Sequence, residues 1–174
     1  MSYRQWEIPE TELSDTQRAG LAYWRKLPPH RDFAMPLVSS FDLMEIPAPI
    51  LPTTHVVDVL NHGADFRYRF WGSGFRAYLG YDGTGISTET LLPVEIREPV
   101  RKAYADVVNA RAPLAMLSEF TRGGGVPRQG FQRFIRFPLI DEDGNVKQVV
   151  SLVEFLMDRY QAQQMIDAIN AGER

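Results

Sequence analysis

The sequence has 174 residues, of which 44% are hydrophobic and 24% charged, with a formal net charge of -3, and this is the composition of an ordinary soluble globular domain. The slight negative charge gives no general attraction to nucleic acid or anionic lipid, and the N-terminus lacks a signal-peptide pattern, so a cytoplasmic location is expected. The absence of cysteine excludes disulfides, thiol nucleophiles, thiolate metal sites and photochemistry through a cysteine adduct.

The first predicted helix is "LSDTQRAGLAYWRKL", in which Ser14 and Gln17 have the spacing of a capping box. Its apolar face includes Trp24, and burial of a side chain of that size is worth about 2 kcal/mol or more. The helix should therefore pack on an open sheet face or on a second subunit. Residues 28–53 carry six of the twelve prolines and are predicted to form an ordered wrapping segment, because proline lacks the N–H donor of a sheet ladder.

Two strands are predicted next, "THVVDVL" (54–60) and "FRYRFW" (66–71), joined by the turn "NHGAD". Side chains alternate between the two faces of a strand. Strict alternation in the second strand places Phe66, Tyr68 and Phe70 on one face and Arg67, Arg69 and Trp71 on the other.

The motif Gly72-x-Gly74-x-x-Ala77 has the glycine spacing of a dinucleotide-binding turn. Such a turn follows a buried parallel strand, which is a continuous apolar run, whereas "FRYRFW" alternates with arginine. The acid that should end a second strand about 20 residues later is also missing, since "STETLLPVE" is not strand-like. We therefore expect the glycines to allow a bend in the chain.

The second half is predicted to be a long helix, three strands and a final helix. The helix, "LLPVEIREPVRKAYADVVNAR" (91–111), should have a short entry turn that Pro99 separates from the main part. The strands "APLAMLSEFTR", "FQRFIRFPLI" and "VKQVVSLVEFL" are so close in sequence that they must pair antiparallel. The final helix should begin at an Asp158 cap. Its apolar strip consists of Met165, Ile166 and Ile169.

The order of these elements predicts an α+β domain with one antiparallel sheet. The stretches "FRYRFWGSGFRAYLGYDGTG", "LLPVEIREPVRKAYADVVNARAPLAMLSEF" and "FPLIDEDGNVKQVVSLVEFLMDRY" together resemble the PAS domain family over roughly residues 20–160. The upstream Trp-containing helix and proline-rich run resemble a bacterial PAS subfamily. The matching positions are Pro93, Arg97, Glu98, Pro138, Leu139, Asp141, Gly144 and Asp158; Val94, Arg159 and Tyr160 depart from the pattern.

The resemblance implies a five-stranded antiparallel sheet with helices on one face, plus N-terminal and C-terminal helices. It divides the chain into an N-terminal helix with its wrapping segment (1–53), a PAS-like core (54–157) and a C-terminal helix (158–174). In the family, ligands bind between the inner face of the sheet and the short helices. This implies a ligand site near Tyr68, Phe70, Phe75, Tyr78, Ile86, Tyr104 and Phe134.

Charged residues leave several alternatives open. Tyr68 and Arg69, together with an arginine from another strand, would give the pocket an anion-binding wall; the alternative is that the arginines lie on the outer face and pair with acids. The arginines concerned are Arg67, Arg69, Arg133 and Arg136. Glu119 and Glu154 are expected on a solvated strand face. His55 and Asp58 fall on opposite faces of one strand, and we predict neither a catalytic nor a metal site.

The leading functional hypothesis is a stand-alone PAS-like sensory or regulatory module that binds a small molecule or a partner protein and signals to an unidentified downstream protein. A homodimer is expected from the Trp24 helix, and no nucleic-acid or membrane partner. The cofactor is unknown: light-sensing flavin photochemistry of the family needs a cysteine, and residues 86–111 contain no histidine for haem, whereas flavin binding without photochemistry stays open. The alternatives are a small cavity enzyme on an α+β fold and a ligand-free PAS interaction scaffold.

Overall fold

A six-stranded antiparallel sheet lies at the centre of the structure, a computed structural model that describes residues 3–122, 128–156 and 159–172. The spatial order is β1-β4-β5-β6-β2-β3, and each neighbouring pair is antiparallel. The α+β class is confirmed. The strands are β1 (Tyr3–Glu7), β2 (Thr54–Leu60), β3 (Asp65–Trp71), β4 (Leu114–Arg122), β5 (Arg128–Ile140) and β6 (Val146–Leu156).

The predicted count of five strands is wrong, because the N-terminal residues add a sixth strand at the sheet edge. β1 pairs with β4 in a register that puts Trp6 opposite Leu117 and Gln5 opposite Ser118. Trp6 packs against the core on one face of the sheet, so this short strand is held by side-chain burial as well as by its ladder. The segment before the first predicted helix therefore belongs to the sheet.

Four α-helices cover the sheet: α1 (Asp15–Lys26), α2 (Ser73–Leu79), α3 (Arg97–Ala110) and α4 (Arg159–Gly172). The capping box of α1 is confirmed: the Ser14 hydroxyl accepts from the Gln17 backbone N–H, and the Gln17 side chain accepts from the Ser14 backbone N–H. Pro99 lies in the first turn of α3, where an N–H has no helical acceptor. The predicted Asp158 cap and part of the predicted glycine-rich turn lie outside the described residues. No helix in the described ranges is long and apolar enough to cross a membrane.

The face of the sheet that carries α1, called the α1 face, has its own apolar core. Trp24 packs on Phe137 and its indole Nε1 donates to the Pro138 carbonyl (2.9 Å), so α1 uses the open sheet face of its own chain. The apolar strip of α4 contributes Met165 and Ile166 to the same core. Short 3-10 turns at 38–40, 43–45 and 48–53 give the proline-rich segment its order and continue this cover.

The opposite face, called the α3 face, is covered by α3 and α2. Tyr104 of α3 is fully buried against Phe66 and Tyr68 of β3, and Phe75 of α2 is buried beside them. Phe134 of β5 is also fully buried in this core. The sheet thus separates two cores, and polar side chains buried in the α3-face core define the candidate site.

Candidate functional site

Three polar residues form a row across neighbouring strands on the α3 face. His55 of β2 lies opposite Ser151 of β6, and Ser151 lies opposite Arg136 of β5. All three are buried, with exposed fractions of 7%, 0% and 5%. Arginine and histidine are seldom buried this far without partners, so the row is the first sign of a site below α3.

Arg136 is held as a buried cation between two aromatic rings. Its guanidinium carbon lies 4.2 Å from the Tyr104 ring centroid and 4.1 Å from that of Phe134. Nε donates to Ser151 Oγ (3.1 Å), but Nη1 is buried without a hydrogen-bond partner. Across the described ranges, no carboxylate forms an ion pair with Arg136. Cation–π contacts fix the position of the charge but do not neutralise it.

Two hydroxyl groups link Arg136 to two other elements, β6 and α3. Ser151 Oγ donates to the Tyr104 hydroxyl (3.4 Å), and the Tyr104 ring packs edge-on against that of Tyr68, with 6.2 Å between the ring centroids. Burial, followed by the neighbouring Tyr104, raises the pKa of Tyr68 well above its usual range, so Tyr68 stays protonated and remains a donor. The hydrogen bonds therefore connect β5, β6 and α3 through side chains alone.

His55 sits in an aromatic box at the other end of the polar row. Its ring centroid is 3.7 Å from that of Phe75, 4.5 Å from Trp71 and 5.1 Å from Tyr68. Burial lowers the pKa of His55 well below its usual value, and the charge of Arg136 lowers it further, so the imidazole is neutral at neutral pH. Its Nε2 and the Trp71 Nε1 are both buried without hydrogen-bond partners.

A second polar group lies where β1, β4 and β5 cross the same face. Ser118 is buried opposite Gln5 on one side and Gln132 on the other. The Tyr3 hydroxyl donates to Gln5 Oε1 (3.1 Å). Burial raises the pKa of Tyr3, and the charge of Arg136 opposes that rise. Arg136 is therefore near enough to act electrostatically on this group as well as on His55.

A β-bulge at Arg69 changes the facing of the end of β3. Val56 pairs with Phe70 but Val57 pairs with Tyr68, so Arg69 is the extra residue. Beyond the bulge the alternation inverts: Phe70 packs with the α1-face core, while Trp71 enters the α3-face core. The prediction that Phe70 shares a face with Tyr68 is therefore wrong, and with it the placement of Phe70 at the implied ligand site.

Of the seven residues that the family resemblance implied, five meet in the α3-face core. Phe70 does not, and the side chain of Tyr78 lies outside the described residues. Sequence reasoning missed His55, Trp71, Ser118 and Ser151. The five that meet are Tyr68, Phe75, Tyr104 and Phe134, all buried, and Ile86, half-buried at the margin.

The arginines divide between the two alternatives. Arg67 and Arg69 pair with Asp58 at 3.5 and 2.7 Å, and Arg133 pairs with Glu154 at 2.8 Å. These three belong to the face opposite α3, so an anion-binding wall containing Arg69 or Arg133 is wrong and the acid-pairing alternative is right for them. Arg136 alone of the four carries its charge into the α3-face core.

The two strand glutamates are structural partners of arginines, which corrects the expectation of a solvated strand face. Glu119 is 4% exposed and accepts from Arg4 Nε (2.8 Å), which ties β1 to β4. Glu154 accepts from Arg133 Nη2 (2.8 Å) and from the Ser14 hydroxyl at the start of α1 (2.6 Å). Both therefore anchor N-terminal elements to the α1 face.

An open groove of about 540 Å³ lies elsewhere, between the β2–β3 turn and the end of α3. Three of its lining residues, Asn61, His62 and Arg111, have positive φ angles of 47°, 56° and 51°. Arg111 Nη2 donates to the Gly144 carbonyl (2.8 Å), which fixes one wall. In the described part of the chain, no three histidine or acidic residues lie together as metal ligands would.

No protein-family model matches the sequence, and no curated protein matches it. Solved structures do match: the dark structure of the blue-light photoreceptor Aureochrome1 LOV aligns with 76% of this chain and 94% of its own, at 15% identity and a TM-score of 0.52. The PAS domain of BvgS from Bordetella pertussis aligns with 75% and 97%, at 12% identity and a TM-score of 0.46. The chain therefore has the fold of PAS and LOV domains.

Proposed function

We propose that this protein is a sensory or regulatory module that binds a small molecule in the α3-face core and passes the signal to another protein by contact. One observation carries the proposal: three buried polar atoms on this face have no partner among the described residues, namely His55 Nε2, Trp71 Nε1 and Arg136 Nη1. In a protein core that holds no ligand, nearly all buried polar atoms are hydrogen-bonded, since each one left unpaired costs about 1–3 kcal/mol. A ligand with matching polar groups would supply the missing partners.

The signal has a short route through the sheet. Ser151 and Phe134 face the site, and their chain neighbours Leu152 and Arg133 face α1. The buried Gln17 of α1 donates from Nε2 to the carbonyls of these two neighbours, Arg133 (3.0 Å) and Leu152 (3.1 Å). A ligand that prefers one arrangement of β5 and β6 would therefore shift the population of α1 positions.

Binding is favoured over catalysis by the environment of the histidine. A general base must reach the group that it deprotonates through a hydrogen bond, whereas His55 is stacked between aromatic rings and its Nε2 bonds to no described residue. Ser151, the residue opposite His55 on β6, is bonded to Arg136 and Tyr104 instead. An enzyme remains the alternative if the ligand is converted during binding.

Native mass spectrometry of freshly purified protein tests the proposal. A retained species of a few hundred daltons, released on denaturation and recovered at the same mass, would support a sensor. Recovery at a changed mass after incubation would support the enzyme. A protein that binds no small molecule, either as purified or after exposure to cell extract, would favour a ligand-free interaction scaffold and contradict the proposal.

Homodimer formation stays part of the proposal. The predicted surfaces, the α1 face with Trp24 and the strip of α4, are both occupied within one chain. The exposed apolar side chains that could contact a second copy include Met44, Leu92 and Val94. Light scattering across a hundredfold range of concentration tests this, and a constant monomer mass would contradict it.

A further inference from the structure

Among the residues that the structure describes, the positive charge buried in the α3-face core has no negative partner. Arg136 is 5% exposed, and its Nη1 is both buried and unpaired. The buried acids that the structure describes are engaged elsewhere: Asp58 with Arg69, Glu119 with Arg4, and Asp65 with the Ser87 and Thr88 hydroxyls. A buried cation without a counter-charge is costly, so an anion is the complementary ligand.

The site carries one positive charge, that of Arg136, and this limits the complementary ligand to one negative charge. His55 is the other basic residue in the polar row, and burial together with Arg136 holds its pKa well below the usual value. The site therefore offers one positive charge at neutral pH. A monoanion would give a neutral core, whereas a phosphate dianion would leave a second charge buried without a partner.

The donors and their surroundings define the rest of the ligand. A guanidinium edge binds the two oxygens of a planar carboxylate well, and Nη1 of Arg136 is the buried donor without a partner. The side chains in contact with the two basic residues are aromatic: Tyr104 and Phe134 against Arg136, and Phe75 against His55. Such surroundings fit an apolar or aromatic body and offer few partners for a polar one.

We propose that the ligand is a small monocarboxylate with an aromatic or apolar body, and that Arg136 is the residue that binds its carboxylate. This inference rests on the proposed function, because it names the ligand class of the same site. The ion pair forms inside the core, where water does not compete, and so it provides both affinity and discrimination against neutral analogues.

The test compares acids with their neutral amides. Benzoate, phenylacetate and hexanoate are titrated calorimetrically into exhaustively dialysed protein beside benzamide, phenylacetamide and hexanamide. At least one acid should bind at least about tenfold more tightly than its amide. Arg136→Met should abolish that preference and Arg136→Lys should reduce it, while the control Arg76→Met, at an exposed position of α2, should preserve it. Equal binding of acid and amide, or no binding by any acid, would overturn the inference.

Melting of the dialysed variants gives a readout that does not depend on the choice of acid. Arg136→Met removes an unpaired buried charge, so its melting temperature without ligand should equal or exceed that of the wild type. A lower melting temperature would mean that Arg136 is only a structural residue and would overturn the inference. If mass spectrometry finds a retained neutral molecule and no acid binds, the ligand class is wrong and the proposed function stands.

Discussion

Gln17 provides the sharpest test of how the N-terminal helix is joined to the sheet. The side chain is fully buried, and Nε2 donates to two strand carbonyls while Oε1 accepts from the Ser14 backbone (3.2 Å). Replacement by leucine keeps the volume but removes all three bonds. At about 1 kcal/mol for each buried bond and about 0.5–1 kcal/mol for the capping box, Gln17→Leu should cost about 3 kcal/mol. For a protein of this size that lowers Tm by about 6–12 °C.

The assay is urea unfolding followed by circular dichroism, with Gln163→Leu as the matched control. Gln163 is an exposed residue of α4 that donates to Asp167 Oδ1 (2.8 Å), and its loss should cost less than about 0.5 kcal/mol. The same variants should differ in hydrogen exchange, with α1 less protected in Gln17→Leu. Equal stabilities for the two variants would refute the claim that Gln17 holds α1 on β5 and β6.

Three other predictions concern the α3 face. Because the pKa of His55 is lowered in the folded state, the unfolded chain takes up the proton first as the pH falls. The free energy of unfolding should therefore decrease below about pH 6.5, by up to about 1.4 kcal/mol per pH unit. In His55→Phe the urea-unfolding midpoint should change less between pH 6.5 and 5 than in the wild type, and an equal pH dependence would contradict this. Gly83→Ala should lower Tm and shift the fluorescence of Trp71, because the new Cβ would lie 2.4 Å from its ring; an unaltered spectrum would count against that packing. Ser151→Ala should cost about 1–3 kcal/mol in urea unfolding, since it leaves Arg136 Nε unpaired, and a neutral effect would show that this bond is replaceable.

Local sequence signals predicted most of the elements because those signals act within a few residues. The capping box of α1 needs only Ser14 and Gln17, and the strand positions follow from alternation and turns. Alternation along β5 also separates Arg133 from Arg136 onto opposite faces. The sequence therefore predicts that the two arginines lie on opposite faces, but it does not predict which of the two faces α3 covers.

The features that escaped prediction depend on contacts distant in sequence. β1 is five residues long and becomes a strand because β4, more than a hundred residues later, offers an edge and a partner for Trp6. The bulge at Arg69 has no local signature, because it is set by the pairing of β3 with β2. It moved Phe70 away from the site and brought Trp71 into it. His55 was overlooked because its burial follows from α2, whose Phe75 stacks on the ring.

A crystal structure of the protein as purified, without added ligands, tests the central claim most directly. The account predicts electron density between α3 and the sheet for a molecule that is not part of the chain, with an anionic group within about 3 Å of Arg136 Nη1. Protein side chains that fill this space, with a carboxylate of the chain itself bonded to Nη1, would contradict it.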